Sequence, residues 1–181
     1  MAGFFHDIGK PYTRKENFLQ HEKVGKDIFK KIGKSLALGK EATEFVSELI
    51  LHHLDVFRLF LLHEEGNLNR ERINIFWYEN KNNAVYLFIL SLADAYATSE
   101  DEYYFEKLRE FIIYLQTYYF DVYLKEIIEE PLLSGREIMD ILGLKPSPEV
   151  GKIKKVLLKE QIAGRIKNKE EAKMFVKHLR G

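Results

Sequence analysis

Apolar residues recur along this chain mostly at helical spacing, and sustained strict alternation is scarce, so the pattern predicts helices throughout. Positions 18–32 form one amphipathic stretch. Positions 40–53 form another, in which Phe45, Leu49 and His52 share one side (i, i+4, i+7), so His52 is expected to point inward. Residues 54–62 are strongly apolar and are expected to continue as helix up to a break at Glu65-Gly66-Asn67. Helices over 70–79 and 84–97 flank a loop at Asn80-Lys81-Asn82-Asn83, and 102–128 reads as one long helix rich in Tyr and Phe. Those aromatics have helical spacing and acidic neighbours, which favours core packing over base stacking. Pro131 ends this segment. Beyond it, Ser134 with Glu137 has the capping-box spacing and Gly143 is a natural stop. Ser147 before Pro148, and Asn168 with Glu171, mark two more helix starts. The expected fold is all-α, with a helical domain over 1–130 and a small helical module over 131–181.

Composition narrows this picture. With 181 residues, 46% of them hydrophobic, the chain can bury one good core and a small second one. Lys+Arg and Asp+Glu are both 28, so bulk charge does not mark a nucleic-acid binder. The distribution is uneven, however. Asp94 to Glu130 carries ten acids against Lys107, Arg109 and Lys125, whereas Gly135 to the end carries twelve Lys or Arg against six acids. A basic tail on an acidic body hints at an anionic partner. Cysteine is absent, which excludes a disulfide framework and a thiolate metal site. No apolar run reaches the length of a membrane span and no signal peptide is evident, so the expected location is cytoplasmic, without a membrane partner. The opening Met1-Ala2-Gly3-Phe4-Phe5 runs straight into a histidine motif, which suggests that an element upstream is missing.

The candidate chemistry lies in the histidines, five of which precede residue 64. His6-Asp7 sits in FFHDIGKP; His21 and then His52-His53 follow, and Asp94 lies in the apolar run YLFILSLADAYA. Imidazole nitrogen and carboxylate oxygen are ligands for a borderline divalent metal. An isolated His-Asp pair is equally an ordinary helix terminus. A carboxylate among apolar residues, as at Asp94, needs a partner, and a cation suits it best.

HDIGKP, a lone His, a His-His pair and a late helical Asp together resemble the HD superfamily of metal-dependent phosphohydrolases, over Phe4 to about Thr98. The resemblance implies an all-helical domain in which His6, Asp7 and Asp94 bind a divalent metal (Mn, Fe, Co, Ni, Zn or Mg). In two-metal members it implies that His21 and His52 hold the second ion, with His53 a ligand or a phosphate contact. The family's earlier histidine ligand, on a helix upstream of the pair, has no counterpart in this sequence. The segment LLSGREIMDILGLKPSPEVGKIKKVLLKEQIAGRIKNKEEAKMFV resembles the tail of bacterial tRNA nucleotidyltransferases and related poly(A) polymerases. The catalytic head of those enzymes, with its paired carboxylates, is not found here, so nucleotide addition by this chain alone is not expected.

These features imply hydrolysis of a phosphomonoester or a 2′,3′-cyclic phosphodiester, with a nucleotide or RNA-end phosphate as substrate. Asp7 is a candidate general base as well as a ligand. Lys10 is either a phosphate contact or a solvated lysine, and Arg58 and Arg72 are weaker phosphate candidates. His63 reads as a surface residue, and His178 suits the end of the last helix. The cluster of Lys152, Lys154 and Lys155 is either a solvated face or a track for an RNA backbone. The rival reading is a non-catalytic RNA-binding fragment of a split or truncated nucleotidyltransferase, with tRNA and a separate nucleotidyltransferase subunit as partners.

Overall fold

The computed structural model describes residues 1–13, 20–98 and 101–179; every regular element in it is helical, and no strand occurs among the described residues. In chain order these are α1 (Ala2–Phe5), a 3-10 turn (Lys10–Tyr12), α2 (His21–Ser35), α3 (Lys40–His52), α4 (Asp55–Glu64), α5 (Arg70–Asn80), α6 (Ala84–Thr98) and α7 (Glu102–Tyr118). A π-helical segment (Tyr119–Tyr123), α8 (Leu124–Glu126), α9 (Gly135–Leu142), α10 (Pro148–Ile162) and α11 (Lys169–His178) follow. No helix among the described residues is long and apolar enough to cross a membrane. The expected helix from position 18 starts at His21; positions 14–19 lie outside the described residues.

Two compact units form, one from Met1–Asn67 with Asn80–Gln116, the other from Leu68–Glu79 with Thr117 onward. In the first, α2 packs along α3, and α1 lies on α3 and α6. Phe29, Val46 and Ile50 are buried, with Ala2, Phe5 and Leu38 against them. Burying each such large side chain contributes roughly 2 kcal/mol. A Cβ on Gly33 would come within 2.6 Å of Thr43 Oγ1, so this glycine allows α2 and α3 to approach closely.

The periodicity of α3 resolves differently from the expected Phe45–Leu49–His52 stripe. Phe45 is 38% exposed, while Val46, Leu49, Ile50 and His53 are buried, a stripe rotated by one residue. The sequence from Phe45 to Leu51 offers apolar residues on either side, and packing against α2 chooses between them.

The second unit takes in Leu68–Glu79 as well as the segment after Pro131. The buried amide of Asn74 explains part of this: its Oδ1 accepts from Tyr118 Oη at 2.7 Å, and its Nδ2 donates to Ile162 O at 3.1 Å. Leu133, Ile138, Leu142, Val150, Leu157, Ile166, Ala172 and Val176 form a core here. The helix starts follow the expected capping residues with two differences. Ser134 and Glu137 make the full capping box, and Gly143 closes α9 at φ +63°. Ser147 takes the N-cap position but its hydroxyl makes no capping bond. Asn168 Oδ1 accepts from Glu171 N at 2.9 Å, but Glu171 returns its carboxylate to Lys167 N, one residue earlier than a capping box would.

Candidate metal centre

Residues 6–9 form a tight turn after α1, with Ile8 N bonded to Phe5 O and Lys10 N to Asp7 O. Gly9 lies directly on the start of α2: a Cβ there would sit 2.0 Å from His21 O and 2.7 Å from Gly25 N. Only glycine fits that approach. It sets Asp7 beside His21, the first residue of α2. His53, just past the end of α3, and Asp94, on α6, complete the group.

Asp7 faces two ways. Its Oδ1 lies 3.2 Å from His21 Nε2 and 3.6 Å from His53 Nε2. Its Oδ2 lies 3.3 Å from His6 Nε2 and takes a hydrogen bond from Lys10 Nζ at 2.5 Å. His6 Nε2 also lies 3.5 Å from Asp94 Oδ1. Asp7, His21 and His53 can hold one ion with a single atom each, all within 4.8 Å of one another.

The hydrogen bonds assign tautomers. His6 Nδ1 donates to Gly3 O at 2.9 Å, and His53 Nδ1 donates to Ile50 O at 2.7 Å. In the neutral rings each Nε2 therefore carries a lone pair directed at the carboxylates. His6 Nε2 is buried without a hydrogen-bond partner. A lone pair facing ionised carboxylates is stable only with a proton or cation between them. The donor set thus fits a divalent metal, with backbone carbonyls orienting two of the imidazoles. Burial opposes ionisation of Asp7, but the neighbouring imidazoles of His53 and His6 and the ammonium of Lys10 outweigh it and hold the carboxyl well below its usual range. The adjacent Asp7 carboxylate, partly offset by burial, raises the His6 imidazole above its ordinary value.

Residues 1–99 match the family described as HD domain. This chain belongs to the HD domain family. A CC-adding tRNA nucleotidyltransferase of Thermus thermophilus is 36% identical over 188 residues, covering 100% of this chain and 40% of that protein. An A-adding tRNA nucleotidyltransferase of Deinococcus radiodurans is 27% identical over 184 residues, covering 97% of this chain and 40% of that protein. The chain spans about two fifths of the length of these curated relatives.

Within the HD domain the adjacent histidines part company. His53 is 2% exposed and faces Asp7, whereas His52 Nδ1 pairs with Asp55 at 2.7 Å and its Nε2 lies 3.7 Å from Glu48. The inward histidine is His53, because the buried stripe of α3 passes through it. Arg58 is engaged with Glu22 at 2.6 Å and Asp55 at 3.2 Å. Arg72 is exposed on α5, in the second unit. His63 is exposed and stacks on Tyr114 at 5.5 Å; His178 Nδ1 bonds Met174 O at 2.7 Å near the end of α11. Two of the lysines of α10 line different grooves. Lys152 lines one with Leu142 and Val156, while Lys154 lines another with Glu137 and Lys169. Sequence reasoning missed Glu22, which is buried beside His21. The available signal was a His-Glu pair opening an amphipathic helix, with Gly25 one turn on clearing the inner face.

Proposed function

We propose that this HD domain is a divalent-metal-dependent phosphohydrolase that cleaves a phosphomonoester or a 2′,3′-cyclic phosphodiester on a nucleotide or an RNA end. The observation that carries the reading is the two-way presentation of Asp7: Oδ1 toward His21 and His53, Oδ2 toward His6. His6, Asp7 and Asp94 would hold one ion, and Asp7, His21 and His53 a second. When bound, such an ion polarises a phosphoryl group and lowers the pKa of water. Asp7 stays ionised in this setting and accepts protons weakly, which suits a ligand better than a general base. Lys10 is half-exposed, so its ammonium can swing from Asp7 toward a phosphate oxygen. The relatives' names support an RNA substrate class.

The test is release of phosphate from a nucleoside monophosphate, and ring opening of a 2′,3′-cyclic nucleotide, with and without manganese, cobalt or nickel. Metal-dependent turnover that Asp7→Ala abolishes is expected. Wild type indistinguishable from Asp7→Ala under every metal overturns the proposal. The RNA-binding reading then stands in its place if tRNA affinity falls with salt and with neutralisation of Lys152, Lys154 and Lys155.

A further inference from the structure

Glu22 is buried at 7% exposure, and its two oxygens have different surroundings. Oε1 takes a hydrogen bond from Arg58 at 2.6 Å. Oε2 is buried without a hydrogen-bond donor and lies 3.6 Å from His21 Nδ1. A buried carboxylate oxygen without a donor is costly, so this one calls for an explanation.

The other side of the His21 ring supplies it. His21 Nε2 lies 3.2 Å from His53 Nε2 and 3.2 Å from Asp7 Oδ1. His53 has committed its Nδ1 proton to Ile50 O, so its Nε2 is an acceptor. With acceptors on that side and no cation, neutral His21 carries its proton on Nε2. In that tautomer Nδ1 is an acceptor and faces Oε2 acceptor to acceptor, in keeping with their 3.6 Å separation. A cation held by Asp7, His21 and His53 reverses this arrangement. It occupies the Nε2 lone pair, and the one remaining ring proton must sit on Nδ1, directed at Oε2.

We propose that Glu22 is the positioning residue for His21: Oε2 accepts the Nδ1 proton of the ligating tautomer, while Arg58 holds the carboxylate in place through Oε1. The inference rests on the metal-binding part of the reading above, and on no particular substrate.

The test uses the whole chain, ¹⁵N-labelled, with zinc as a diamagnetic probe. Long-range ¹H–¹⁵N spectra report the His21 tautomer in wild type, and calorimetry reports zinc affinity in wild type and Glu22→Gln. Zinc is expected to move His21 from Nε2–H to Nδ1–H, and Glu22→Gln to bind zinc about 10- to 100-fold more weakly. A merely structural Glu22 would lower the melting temperature of the zinc-free protein and leave zinc affinity unchanged, which overturns the inference. Retention of Nε2–H on His21 at saturating zinc also overturns it, and this wild-type measurement decides the matter should Glu22→Gln fail to fold. Zinc that shifts His53 and His6 but not His21 sinks this inference alone. Zinc that shifts none of them sinks the metal reading and this inference together. A tautomer change without phosphatase activity sinks only the hydrolase reading.

Discussion

The Nε2 atoms of His21 and His53 face one another at 3.2 Å, one from the first turn of α2 and the other from just past the end of α3. Two imidazoles that meet in this way need a proton or a cation between them. Asp7 Oδ1 lies within reach of both and supplies the negative charge. This pairing is the point from which the behaviour of the site can be tested.

Divalent cations should stabilise the fold through this site. At a metal concentration 100 times Kd, the linkage amounts to about 2.7 kcal/mol. Thermal denaturation with and without zinc or manganese checks it, and Asp7→Ala should abolish the shift.

The neighbouring histidines should separate cleanly. His53→Ala is expected to weaken metal binding at least tenfold, on the order of a lost ligand or ligand-orienting group. His52→Ala, which removes the contacts to Asp55 and Glu48, should leave affinity within about twofold, a change below 0.5 kcal/mol. Calorimetric titration of both variants distinguishes them, and equal losses would reverse the assignment.

Gly9→Ala should destabilise the protein by about 3 kcal/mol or more. Its Cβ would meet backbone atoms at 2.0 Å and 2.7 Å, and backbone cannot move aside as a flexible side chain can. Chemical denaturation measures the loss. Metal affinity should fall with it, because the turn that carries Asp7 must lift away from His21.

The pH dependence should have opposite signs with and without metal. The adjacent Asp7 carboxylate raises His6 despite its burial. In the metal-free protein that interaction therefore stabilises the fold below the ordinary histidine range and fades as pH rises through the raised value. Metal must displace the same proton. Affinity should rise about tenfold per pH unit for one displaced proton, then level off above the raised value. Calorimetric titrations across this interval would show the slope, and an affinity independent of pH would count against His6 as a ligand.

In the second unit, Ser134→Ala should cost about 1 kcal/mol, since the Ser134 hydroxyl accepts from Glu137 N and donates to its carboxylate. The corresponding Ser147→Ala should cost less, because that hydroxyl makes no capping bond. Denaturation midpoints of the two variants provide the comparison.

Local signals in the sequence were enough for most of the secondary structure. Period, caps and breakers depend on residues within a few positions of one another, so α3, α5, α6 and α9 lie close to where the pattern puts them, and Gly66 and Gly143 stop helices as expected. The pattern also brought out the group from His6 to Asp94, because a carboxylate in an apolar helix and a His-Asp pair before Gly9 stand out in one dimension. It pointed to His52 as the inward histidine, and the structure buries His53 instead. The run from Phe45 to Leu51 supports two apolar stripes one residue apart, and local pattern does not separate them. Packing of α2 decided the matter: Gly25 opens space for Ile50, a Cβ at that glycine lying only 3.1 Å from Ile50 Cγ2, and the stripe through Ile50 carries His53 inward. The π-helical segment interrupting the long aromatic helix, the recruitment of Leu68–Glu79 into the second unit, and the burial of Glu22 against His21 likewise belong to the tertiary structure. Leu68–Glu79 is tied to Tyr118 and Ile162 through Asn74, and Glu22 to Arg58, and contacts between residues so far apart in the chain leave no periodic trace in the sequence.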